Sequence, residues 1–68
     1  MKIEIGDKVE TTKAHDQFFG SHEQGIIEKI DDNYVELYTR TGKPVMMHIK
    51  WVQAYKGDFN WFYRGKLV

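Results

Sequence analysis

A chain of 68 residues that contains no cysteine has to hold itself together without disulfides or thiolate zinc sites. Its stability therefore rests on packing, on oligomerisation or on a partner. A domain this small buries only about 60% of the surface its unfolded chain exposes, so the core must be dense in large apolar groups. Ten aromatic residues supply that density, because each ring buries about 150–250 Å². The length accommodates one domain over residues 1–68 and leaves no room for a large enclosed active site.

The start, Met1-Lys2-Ile3-Glu4-Ile5, lacks the apolar run of a signal peptide, and no stretch approaches the length of a membrane span. A soluble, cytoplasmic protein without a membrane partner is expected. Ten Lys and Arg balance ten Asp and Glu, and a neutral total argues against coating nucleic acid by bulk charge. The total hides a division. Residues 1–37 hold four Lys against nine acidic residues, a sum of −5, whereas residues 38–68 hold six Lys and Arg against Asp58 alone, a sum of +5. The rings follow the cations: seven of the ten lie after Leu37.

Short β-branched and aromatic runs alternate with turn residues, and no window has a helical period. Asp7 to Thr12 reads as a first strand and Lys13 to Gln24 as a long polar loop, with Phe18-Phe19 folded back as its anchor. Gly25 to Ile30 and Tyr34 to Thr39 read as a hairpin around Asp31-Asp32-Asn33, residues that tolerate positive φ. After the turn Thr41-Gly42-Lys43-Pro44, the alternation puts Val45, Met47 and Ile49 inward and Met46, His48 and Lys50 outward. Trp51-Val52-Gln53 reads as a helical turn or the start of a fifth strand, and residues 57–68 as a C-terminal aromatic extension. The fold class expected is all-β: a small, five-stranded, strongly bent SH3-like barrel.

The succession Gly6-Asp7-Lys8-Val9, Gly25-Ile26-Ile27-Glu28-Lys29-Ile30, Val35-Glu36-Leu37 and Pro44 to Val52 resembles that of KOW-type SH3-like domains, over roughly residues 5–53. Such domains occur in transcription elongation factors and ribosomal proteins, so the resemblance implies an accessory module of transcription or translation. Two departures are the longer loop between Val9 and Gly25 and the aromatic segment Phe59 to Val68. A second, four-residue likeness joins Val52-Gln53-Ala54-Tyr55 to the Val-Gln-x-Tyr stretch of plasmid-type trimethoprim-resistant dihydrofolate reductases. There the stretch follows closely on the preceding hairpin, whereas Gln53 lies nineteen residues after Tyr34, a strand too late.

His15, Asp16, His22 and Glu23 bring four metal-ligand types into one segment, but structural zinc sites favour cysteine or closely spaced histidines. Neither metal nor cofactor is expected. Ser21 is the only serine, and Asp31-Asp32 occupies a turn where water keeps both carboxyls ordinary, so a non-enzymatic binding module is expected. Its leading candidate surface is the basic and aromatic second half: Arg40, Lys43, Lys50, Trp51, Tyr55, Lys56, Trp61, Tyr63, Arg64 and Lys66. Cations neutralise phosphates and flat rings stack on bases, which points to nucleic acid or a nucleic-acid-associated complex as partner. The alternative is a protein–protein adaptor or inhibitor using loop 13–24 and the C-terminal aromatics, with a homo-oligomer through that C-terminal segment left open.

Overall fold

The computed structural model describes residues 2–68; Met1 lies outside them. Five strands form one antiparallel sheet: β1 (Lys8–Thr11), β2 (Gln24–Asp31), β3 (Tyr34–Tyr38), β4 (Pro44–His48) and β5 (Val52–Ala54). Their order is β4-β3-β2-β1-β5. A short helix, α1 (Lys13–Phe19), lies between β1 and β2, and a 3-10 turn, Ile49–Trp51, leads into β5. The C-terminal segment is a second, two-stranded sheet of β6 (Phe62–Tyr63) and β7 (Lys66–Leu67). In place of a closed barrel, the hydrogen-bonded sheet is open, with β4 and β5 as its edges. Among the described residues no ladder joins those two edges.

The alternation read for residues 45–50 holds. Met47 is buried, Val45 and Ile49 pack against the core, and Met46 stands exposed. On the inner face, Val9, Ile27, Val35, Leu37, Met47 and Val52 make one apolar cluster, with Ile3, Val45, Ile49 and Trp51 packed around it. Gly25 belongs to this face as the register partner of Val9. A Cβ there would stand 2.6 Å from the Tyr38 carbonyl oxygen and 3.1 Å from Leu37 Cβ, so only glycine lets β2 and β3 approach this closely.

The outer face is covered as well. Lys8, Ile26 and Tyr38 are successive register partners and so share that face. Ile26 is only 1% exposed although it lies outside the inner cluster. The C-terminal segment is tied to the neighbours of Ile26 on that face: Lys8 Nζ donates to the Gly57 carbonyl at 2.7 Å, and the Tyr38 ring meets Trp61 and Tyr63. A bulge fixes one more tie. The β2–β3 register runs Ile27↔Leu37 and then Lys29↔Glu36, which leaves Glu28 as the extra residue, and its carboxylate accepts from both the Tyr63 hydroxyl and Arg64 Nη2.

Segment 13–24, expected as a loop, contains α1. Thr12 caps it, its Oγ1 accepting the His15 N–H at 3.2 Å. Gly20 ends it at φ 73°, its N–H donating to the Asp16 carbonyl. Two turns are too short to display a period, and the face that α1 buries is marked by His15, a polar residue. The anchor also differs: His15 is buried, whereas Phe18 is 75% exposed.

Candidate docking groove

The helix and the 3-10 turn build one wall of an open groove of about 490 Å³; the other wall is β4 from Val45 to His48. The spacing within α1 puts His15 and Phe19 on one side, four residues apart. Their rings lie 4.7 Å from each other, and Trp51 meets both, at 5.9 Å and 5.6 Å. Phe18 stacks on Trp51 at 6.1 Å and leaves most of its surface in water. Lys50 Nζ lies 5.0 Å from the centre of the Trp51 ring, a cation–π contact. Across the groove, Tyr34 and His48 meet edge to face at 5.4 Å, and Met46 is 60% exposed.

A polar network pins α1 from behind. The Thr11 hydroxyl donates to Asp16 Oδ1 at 2.7 Å and accepts the Glu23 N–H at 3.0 Å. A carboxylate only accepts, so Nδ1 carries the proton in both histidines, His15 donating at 3.0 Å and His22 at 2.6 Å. The Thr11 hydrogen bond, followed by those of the two histidines, holds the Asp16 carboxyl down at about 2. His22 Nε2 also faces Glu10 Oε1 at 3.5 Å. Hydroxyl, imidazole and carboxylate are drawn here into one network that ties β1 to α1 and to the residues that follow it. Thr11 is buried, and its Oγ1 also lies 3.1 Å from His22 Nδ1. Among the described residues no group of ligating side chains is arranged to hold a metal ion, and no helix is long and apolar enough to cross a membrane.

The ten basic and aromatic residues singled out in the sequence do not form one strip. Lys50 and Trp51 stand at the groove. Tyr55 stacks on Phe59 at 4.8 Å and Phe59 on Trp61 at 5.3 Å, and Tyr38 continues the row to Tyr63. In this ladder Phe59 stacks on two rings and lies under Lys8 Nζ at 6.0 Å. Arg64 pairs with Glu28 at 2.9 Å and lies over Tyr63. Tyr63 donates to the same carboxylate, which raises its hydroxyl above the ordinary tyrosine range. Arg40 and Lys43 belong to the β3–β4 turn, and Lys56 and Lys66 are exposed. The −5 and +5 halves also meet in space, through Arg64 with Glu28 and Lys8 with Asp58.

Sequence reasoning passed over Tyr34, Met46 and His48 as site residues, whereas Phe19 lies in segment 13–24, which the protein–protein alternative names. The outward positions of Met46 and His48 were readable from the strand alternation. What was not readable is that α1 stands opposite them. No protein-family model, no curated protein and no solved structure matches the chain.

Proposed function

We propose that this protein is a non-enzymatic binding module of SH3-like architecture that docks a partner protein in the groove between α1 and β4. The SH3-like reading is supported by the strand order, by the bulged β2 and by the 3-10 turn that precedes the last strand of the main sheet. One observation carries the functional reading. Phe19, Tyr34 and Met46 line the groove and are at least half exposed, with Phe18 stacked on Trp51 beside them, whereas Tyr55, Phe59 and Trp61 stack in a row and are half-buried. The other exposed pair, Phe62 and Leu67, faces across the β6–β7 hairpin. Solvent-exposed apolar surface gathered beside a concave wall is characteristic of protein interfaces.

A nucleic-acid reading, as a KOW-like accessory factor, has narrower support in the pairing of Lys50 with Trp51 beside the open rings of Tyr34 and Phe18. The two readings separate in one comparison. Immobilised protein is expected to retain partners from nuclease-treated lysate and to lose them on Phe18→Asp or Met46→Glu, both at exposed positions where folding should survive. Retention of labelled oligonucleotides that weakens steeply with salt, with no nuclease-resistant protein retained, would favour nucleic acid and end the protein-docking reading.

A further inference from the structure

We infer that the partner segment is an acidic, extended stretch of chain that adds to β4 as a further strand; this rests on the groove being the docking site. The groove touches four successive residues, Val45, Met46, Met47 and His48. Successive side chains of a strand point to opposite faces, so a space that meets all four runs along the strand's edge. The hydrogen bonds of that edge are open. Ile49 N–H donates to the Asn33 carbonyl at 2.7 Å, and Ile49 continues the β3–β4 register. In an antiparallel pair every second residue of a strand faces its neighbour, so Val45 and Met47 bond to β3 while Met46 and His48 turn their N–H groups outward. Pro44, which has no N–H, falls on an outward position. Among the described residues neither the Met46 nor the His48 N–H donates to a backbone carbonyl in a turn or loop. Two donors and the Met46 carbonyl thus face the groove at the spacing an added strand offers.

Charge selects the occupant. From Leu37 to Gly57 the chain holds Arg40, Lys43, Lys50 and Lys56 and no acidic residue, so cations stand at both ends of β4. Two carboxylates are close. Glu23 lines the groove at the helix side, and Glu36 pairs with Met46 across β3, away from the free edge. A second copy of this chain would have to offer a free strand of its own, and neither its β4, nor β5, nor the β6–β7 hairpin contains an acidic residue. An acidic segment of another protein is the complementary match.

The test is an NMR titration of the full ¹⁵N-labelled chain with a blocked hexapeptide alternating glutamate and valine. Expected is hydrogen exchange slowed about tenfold or more at the Met46 and His48 amides, with binding that weakens as salt rises. A lysine-for-glutamate peptide should not bind. Of two peptides N-methylated on alternate residues, only the one whose methyls face β4 should bind about tenfold more weakly, because it loses the pairing hydrogen bonds. Met46→Pro removes an outward N–H and no ladder bond, and should abolish the response; if that variant does not fold, the N-methylated pair decides. Equal binding of both methylated peptides, no binding at millimolar peptide, or the same amides protected without peptide in a concentration-dependent dimer would each overturn strand addition. So would an oligothymidylate that shifts Trp51 and Lys50 where the peptide does nothing. If lysate capture remains sensitive to Phe18→Asp while these amides stay unprotected, strand addition falls and the groove stands. If Phe18→Asp and Met46→Glu leave capture untouched, the groove reading itself falls.

Discussion

Asp16 ties three parts of the chain together, receiving hydrogen bonds from Thr11 on β1, from His15 in its own helix and from His22 beyond it. Its carboxyl is held at about 2, against 3.8 for an ordinary aspartate. A lowered pKa stabilises the fold fully above the unfolded value, and that stabilisation drains away as pH falls through the folded one. Between about pH 4 and 2 the wild type should therefore lose stability that Asp16→Asn has already lost at neutral pH. Denaturant midpoints of the two proteins, plotted against pH, should converge at the acid end; parallel curves would remove Asp16 from this role. Gly25 is the other residue on which much depends. Gly25→Ala drives a methyl into the Tyr38 carbonyl and should destabilise by roughly 1–3 kcal/mol or more, measured by urea unfolding, whereas Gly6→Ala meets no atom within 4 Å and is limited to the cost of its positive φ.

Among the elements, the strands were legible and the helix was not. Val45 to Ile49 alternates apolar and polar environments as a half-buried strand must, and Asp31-Asp32-Asn33 marks a turn in which Asp32 takes φ 57°. Alternation breaks at Gly25-Ile26-Ile27, three buried residues in succession, and that break is the sequence trace of a strand covered on both faces. Thr12 and Gly20 bracket α1 with a cap at each end, but its seven residues, with two adjacent phenylalanines among four polar side chains and one alanine, carry no helical period. The groove depends on how α1 sits against Trp51, a tertiary relation that no local spacing encodes. The C-terminal segment is an integral layer of the fold. Ending the chain after Lys56 uncovers Ile26 and Tyr38, and should cost at least about 3 kcal/mol from the isoleucine and neighbouring ring surface alone. Loss of amide dispersion in the truncated chain would show it; a folded truncation product with unchanged stability would contradict it.

For the whole molecule, the opposed charge halves and the two-sided sheet bear on each other. The segment that supplies the cations Arg64 and Lys66 folds back over strands from the acidic half, and Lys8 and Asp58 close the same seam. Of the two pairs only Arg64 with Glu28 joins the majority charges of the halves, and the acid-free stretch around β4 stands as a distinct electrostatic region. The two tryptophans occupy opposite sides of the sheet, Trp51 at the inner cluster and Trp61 in the outer ladder. Each is a spectroscopic reporter of one side, and replacing either by Phe isolates the other's emission. Because neighbouring residues of β2, Ile26 and Ile27, belong to the two sides, both reporters should melt at one temperature. Separate transitions would mean that the domain unfolds one face at a time.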